Sequence, residues 1–170
     1  MLNQIGKWKI FPLETGDFRL DGGAMMGSVP KVLWEKTNPA DGLNRIDLSL
    51  RCLLLDDGEN RVLIDTGLGT KGGDKFKTMF HIVQPENPLK NALNKIGFSP
   101  KDITHVIFSH LHFDHAGGAT ELNQDGVPVP VFPNAEYFIT ESQWKQAIQP
   151  NSRDMASFMQ ADFLPLQEAG

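Results

Sequence analysis

The feature that most constrains the fold of this chain is a ten-residue segment, Ser109–Gly118, which reads SHLHFDHAGG. It follows the apolar run Val106–Phe108, which is typical of a buried strand. The segment holds three of the five histidines of the chain, with one carboxylate among them. Imidazole and carboxylate groups are common metal ligands, so a strand that delivers them to a turn predicts a metal site. The alternative is a polar loop in which histidines cluster by chance.

The spacing of the four polar side chains predicts how they would divide between metal ions. On an extended backbone alternate side chains share a face, so His110 and His112 project together and can hold one ion. The chain then turns, and Asp114 and His115 point toward a second ion. These ligand types suit Zn²⁺, and Fe or Mn also accept them, so we expect two Zn²⁺ ions at a complete site. The pair Gly117–Gly118 leaves room for a tight turn beside the ions.

The order His-x-His-x-Asp-His after an apolar strand resembles that of the metallo-β-lactamase-fold hydrolases. Within that superfamily the segment is most similar to N-acyl-homoserine-lactone lactonases and their organophosphate-hydrolysing relatives. Two further stretches match the family pattern, the strand and turn Val62–Gly67, which contains Asp65, and the loop Phe18–Gly27. The resemblance implies an α/β fold, the metallo-β-lactamase αβ/βα sandwich, with two metals at one edge of its sheets.

The resemblance also implies a role for each polar residue of the site. His110 and His112 would hold the first ion, and Asp114 and His115 the second. A metal-bound hydroxide would attack the carbonyl of a lactone or related ester, and Asp114 would orient it and pass a proton to the leaving oxygen. Asp65 would orient a metal ligand through hydrogen bonds, although a turn aspartate that caps local amides is a compatible interpretation.

Candidate substrate contacts come from apolar residues near the predicted site. The stretch 21–34 contains glycines and a proline among apolar residues, so we expect no regular element there. Met25, Met26 and Trp34 would form a flexible wall over an apolar substrate, or else belong to a loop packed on its own core. Phe113 would flank the substrate, or else pack beneath the metal loop.

The chain departs from the family pattern in one respect. Family members supply a third histidine, a bridging aspartate and a last histidine downstream of the first motif. This chain has no histidine after His115, and neither Asp154 nor Asp162 has the context of the bridging aspartate. We therefore expect residues 1–170 to be a single metallo-β-lactamase-like domain that is incomplete at its C-terminal end.

Charge and hydropathy restrict the partners and the location. The formal net charge is −5 and no basic run occurs, which argues against nucleic acid and anionic membranes as partners. The N-terminus lacks a signal-peptide pattern, and no apolar run reaches the roughly 18 residues of a membrane span. A cytoplasmic protein that acts on a small apolar ester or lactone is expected.

Several other functions share the same motif. Glyoxalase-type thioesterases, phosphotriesterases, β-lactamases and RNA phosphodiesterases remain alternatives, although the acidic charge argues against RNA and the missing signal peptide against a secreted β-lactamase. A different alternative is a non-catalytic fragment. It would need its missing C-terminal part or a second copy of the chain, as a homo-oligomer, to cover an apolar face.

Local patterns predict the regular elements. Apolar alternation and turn residues predict six strands, at 7–12, 18–20, 46–55, 61–64, 104–108 and 136–139. Pro12 should end the first strand, and Thr15–Asp17 should form a turn. Helical spacing predicts helices over 88–96 and from Thr140 to Pro150, with a single turn at 99–102. The lone Cys52 lies in a strand pattern and should be a small buried thiol.

Overall fold

The computed structural model describes residues 3–169 and contains one main sheet. The six strands of this sheet lie in the order β1-β2-β3-β4-β5-β8. Their bounds are β1 Gln4–Ile5, β2 Trp8–Asp21, β3 Arg45–Asp56, β4 Arg61–Ile64, β5 His105–Ile107 and β8 Glu136–Phe138. The first four strands are antiparallel, whereas β4, β5 and β8 run parallel to one another. A separate antiparallel pair consists of β6 Thr120–Leu122 and β7 Pro128–Pro130.

Within the described residues, seven α-helical segments connect and cover the strands. They are α1 Gly22–Met26, α2 Lys31–Trp34, α3 Asp74–Met79, α4 Pro88–Lys95, α5 Phe113–Ala116, α6 Glu141–Ile148 and α7 Gln160–Ala169. The Thr140 hydroxyl caps α6 by accepting a hydrogen bond from the backbone N–H of Gln143, as the sequence predicts. No helix within residues 3–169 is long and apolar enough to cross a membrane.

The prediction of two short strands separated by a turn at the N-terminus is wrong. A single strand, β2, passes through both Pro12 and the segment 15–17 and pairs with β3 from Lys9 to Asp21. Pro12 is tolerated because β1 pairs only with Trp8 and Lys9, so β2 is an edge strand on that side at Pro12. The residues read as a turn form a β-bulge, where the register shifts between Glu14 and Gly16.

The prediction that residues 21–34 lack regular structure is also wrong, because they include α1 and α2. The Asp21 carboxylate accepts a hydrogen bond from the backbone N–H of Ala24 and caps α1. The Trp34 ring packs against Gly22, where a Cβ atom would lie 2.5 Å from the ring. The segment is therefore two short helices folded onto the end of the sheet.

The core lies between the helices and one face of the sheet. Leu63 and Val106 point into it from neighbouring parallel strands, where they meet Leu93 of α4 and Phe163 of α7. Cys52 is buried in the same cluster, which confirms the prediction of a buried thiol, and burial raises its pKa to about 12.

The opposite face of these strands carries exposed apolar residues that line a cleft of about 350 Å³ with Trp8.

The other strand and helix predictions are confirmed to within two residues. The strand at 46–55 is β3, and those at 61–64, 104–108 and 136–139 are β4, β5 and β8. The helix predicted over 88–96 is α4, and the single turn near Ser99 is a 3-10 turn at Pro100–Asp102. All of these rest on local signals, namely alternation, caps and proline positions.

Candidate metal centre

Two neighbouring parallel strands end at the candidate site. β4 ends at Ile64 and β5 at Ile107, and these two residues are partners in the ladder. Asp65 follows β4 and the Ser109–Gly118 segment follows β5, so both polar segments leave the sheet at the same edge. Asp65 has a φ of 56°, an uncommon conformation for a residue with a side chain, and it turns the chain out of the sheet.

The Asp65 carboxylate organises the segment that follows β5. One oxygen accepts a hydrogen bond from the Ser109 backbone N–H at 2.8 Å, and the other accepts one from the Ser109 hydroxyl at 2.7 Å. The second oxygen also lies 2.9 Å from Nδ1 of His115. The aspartate therefore orients a histidine, as the second interpretation holds, and the amide that it caps belongs to Ser109, 44 residues away, rather than to its own turn.

Three ligand atoms converge beside this network. His110, His112 and Asp114 each offer one atom, and these atoms all lie within 4.8 Å of one another. The His110 and His112 rings are 4.6 Å apart, as expected from their alternation along an extended segment. Two imidazole nitrogens and a carboxylate oxygen are a ligand set that Zn²⁺ takes, so these residues fit a divalent metal ion.

The fourth predicted ligand sits at the margin of this cluster. His115 Nε2 lies 3.4 Å from the Asp114 carboxylate, and its ring is 3.9 Å from that of His110. Asp114 thus converges with the two earlier histidines and also contacts His115. The division into two pairs, one for each ion, stays a prediction.

The charges of the site follow from these contacts. Burial raises the pKa of the Asp114 carboxyl, but the hydrogen bond and charge of His115 outweigh it, so the pKa is lowered overall. Burial lowers the pKa of His115, but hydrogen bonds to Asp114 and Asp65 raise it to about 9. Burial lowers the pKa values of His110 and His112, which are therefore neutral at pH 7 and have a nitrogen lone pair available.

The raised pKa of His115 predicts a pH-dependent stability for the metal-free protein. A histidine whose pKa is higher in the folded state stabilises the fold fully below its unfolded pKa, and this contribution is lost as pH rises through about 9. We expect the free energy of unfolding to fall between about pH 6.5 and 9. Urea denaturation across this range measures the slope, and NMR titration of His115 measures the pKa.

Asp65→Asn is the matched control for this titration, because it removes one of the two carboxylates that face His115. The variant should lower the pKa of His115 and flatten the stability slope. A pKa near 6.5 for His115 in the unmodified protein would contradict the prediction.

The segment after β4 packs closely against the metal loop. Thr66 donates from its backbone N–H and its hydroxyl to the His115 carbonyl, at 2.7 and 2.8 Å. A Cβ atom on Gly117 would lie 2.2 Å from the Leu68 carbonyl oxygen, and one on Gly118 would lie 2.1 Å from that of Thr66. The two glycines lie in a 3-10 turn, Gly117–Ala119, and they are also needed for this backbone-to-backbone approach.

Phe113 and Trp34 are each only 5% exposed, which favours the packing alternative for both rings, and their contact with substrate stays a prediction. Phe113 packs edge-on against Phe18 and Phe76 beneath the metal loop, which is the packing alternative. Met25 is exposed on α1 and Met26 is half-buried, and their contact with substrate stays a prediction.

Several residues of the site were not found from sequence. Ser109 lies inside the motif, and its hydroxyl is 3.0 Å from Nδ1 of His110. Thr66 and Lys71 lie more than 40 residues before the loop carbonyls that they contact. A serine directly before the first histidine was a usable signal, whereas no local pattern distinguishes Thr66 or Lys71.

The comparison with protein families gives a definite match. The model for the metallo-beta-lactamase superfamily matches residues 47–156, which include most of β3, all of β4 and β5, and the candidate metal centre. The chain belongs to the metallo-beta-lactamase superfamily. The observed sheet, with helices packed on one face and polar residues at its edge, agrees with the metallo-beta-lactamase fold predicted from sequence.

Several known proteins resemble this metallo-beta-lactamase superfamily chain in sequence or in structure. An N-acyl homoserine lactonase from Bacillus sp is 34% identical over 119 residues, which are 62% of this chain and 46% of the relative. A probable metal-dependent hydrolase from Staphylococcus aureus has a similar structure, with a TM-score of 0.83 and 33% identity over 94% of this chain and 56% of that one. AidC, a dizinc quorum-quenching lactonase, gives a TM-score of 0.64 and 28% identity over 89% and 48% of the two chains. The chain spans about half the length of these relatives.

Proposed function

We propose that this protein is part of a metal-dependent hydrolase that opens a lactone, and that N-acyl homoserine lactones are its substrates. The observation that carries the proposal is the convergence of His110, His112 and Asp114 at the ends of two parallel strands. Relatives named N-acyl homoserine lactonase support the substrate class. A lactonase structure that holds two zinc ions supports zinc as the metal and a second ion beside Asp114 and His115.

The ligands are arranged for the chemistry that such a metal supplies. A divalent ion activates water for attack and polarises the ester carbonyl. His110 and His112 are neutral at pH 7 because burial lowers their pKa values, so they bind a cation without first losing a proton. Asp114 is ionised and half-buried, so its carboxylate can accept a proton from the attacking water and pass it to the leaving oxygen.

Asp65 and His115 have supporting roles in this proposal. The Asp65 carboxylate holds His115 Nδ1, which leaves Nε2 directed toward Asp114. Such an arrangement fixes the orientation of an imidazole and increases its basicity toward a metal. Asp65 also holds Ser109, so a single buried carboxylate orients the start and the middle of the metal loop.

The test combines metal binding with hydrolysis. The purified chain is loaded with Zn²⁺, and proton release on ring opening is followed with N-hexanoyl homoserine lactone, a linear thioester and a phosphotriester. Zinc binding with hydrolysis of the lactone alone supports the proposal. If the thioester or the phosphotriester were hydrolysed faster than the lactone, that compound would replace the lactone as the proposed substrate class. Zinc binding without any hydrolysis would overturn the proposed activity for this chain.

A further inference from the structure

The segment 66–71 forms a strap across the metal loop. Thr66 holds the His115 carbonyl, and the Gly67 carbonyl accepts a hydrogen bond from the Gly118 backbone N–H at 3.0 Å. The backbone of Gly69 approaches that of Gly117 so closely that a Cβ atom would lie 2.2 Å from the carbonyl oxygen. The strap therefore contacts the loop on the C-terminal side of the ligands.

Lys71 ends the strap and inserts its ammonium group beneath the loop. Its side chain is 11% exposed, and Nζ donates hydrogen bonds to the carbonyl oxygens of Gly117 and, at 2.8 Å, of Thr120. The third partner is the Asp162 carboxylate on α7, at 3.1 Å, whose side chain is 3% exposed. Three partners use all three N–H bonds of the ammonium group.

We propose that Lys71 is a positioning residue for the metal centre, which holds the loop carbonyls so that the ligands preceding them keep their binding geometry. The inference rests on the proposed metal-binding function. Gly117 follows His115 by two residues and Asp114 by three, so a shift of its carbonyl would move both side chains. Asp162 anchors the ammonium group and links the loop to α7.

The alternative is that Lys71 and Asp162 form an ion pair that serves stability only. One Asp162 carboxylate oxygen is buried without a hydrogen-bond partner within residues 3–169, so half of this carboxylate is unsatisfied. Buried ion pairs of this kind can often be replaced by apolar side chains of similar volume without loss of stability. A purely structural pair should therefore be replaceable, whereas the bonds from Lys71 to the loop carbonyls have no apolar substitute.

The experiment separates these roles with two variants. Lys71→Met leaves the Asp162 charge buried alone, so its melting temperature should fall. The double variant Lys71→Met with Asp162→Leu removes both charges, so its melting temperature should recover. If Lys71 positions the loop, zinc affinity should fall by roughly 10–100-fold in both variants, as expected for loss of a residue that orients metal ligands. Lys90→Met is the control, because Lys90 pairs with Glu121 at the surface.

Two readouts decide the outcome. Zinc affinity is measured by competition with a chelating dye, and amide hydrogen exchange of His115 and Gly118 is measured in the metal-free protein. Normal stability with weak zinc binding and faster exchange in the double variant supports the proposal. Recovery of both stability and zinc affinity would overturn it. If the unmodified protein bound no zinc, the proposed function would fail, and unchanged exchange in the double variant would overturn the role of Lys71 separately.

Discussion

Replacement of His110 by alanine is expected to weaken zinc binding by more than about 100-fold, since residues that only orient metal ligands already account for roughly 10–100-fold. His110 supplies one of three converging ligand atoms, and His112 and Asp114 would remain as an incomplete set. Its side chain is half-buried at the surface of the loop, so the fold should persist. Dye competition measures the affinity, and circular dichroism measures the melting temperature.

His81→Asn is the matched control for this prediction. His81 is exposed and has a φ of 45°, a conformation that asparagine tolerates better than most residues. The control should bind zinc as the unmodified protein does. Equal affinities for His110→Ala and the control would mean that zinc binds at another place, and the assignment of the metal centre would be wrong.

The second large effect is expected for Gly118→Ala, which should lower the free energy of unfolding by about 3 kcal/mol. The added Cβ atom would lie 2.1 Å from the backbone oxygen of Thr66. Thr66 cannot easily withdraw, because it makes two hydrogen bonds to the His115 carbonyl. The strap and the metal loop must therefore separate. Urea denaturation measures the loss of stability, and zinc affinity should fall in the same variant.

Gly42→Ala controls for the loss of glycine itself. A Cβ atom at Gly42 has nothing within 4 Å, so the substitution should change stability by less than about 0.5 kcal/mol. If Gly118→Ala were as stable as Gly42→Ala, the close approach of strap and loop would not exist in solution.

The sequence pointed to the candidate metal ligands because they lie close together in the chain. His110, His112, Asp114 and His115 occupy six positions, so their proximity follows from the chain itself. Asp65 lies 50 residues away from its partner His115, yet it was found because the segment Val62–Gly67 resembles the strand and turn that precede the metal loop in the family. Its contact with Ser109 was not specified by any pattern.

Errors occurred where tertiary pairing outweighed local signals. Pro12 and Gly16 each suggest an interruption, but β3 is long enough to pair with β2 from Lys9 to Asp21 and to absorb the irregularity as a bulge. For Trp34 and Phe113 the sequence left two alternatives open, contact with substrate and packing on the core. Both rings are buried, which favours packing, and the sequence could not show this because exposure depends on residues that are distant in sequence.

The sequence by itself therefore determined the strands around the site, the candidate ligands and the family, since periodicity, capping and a contiguous motif are local properties of the chain. Only the tertiary structure decided how these ligands are supported. The contact between Lys71 and the Gly117 carbonyl joins residues 46 positions apart. Lysine and glycine in polar loops have no periodic signal, so such a contact is specified only when the packed sheet brings the two loops together.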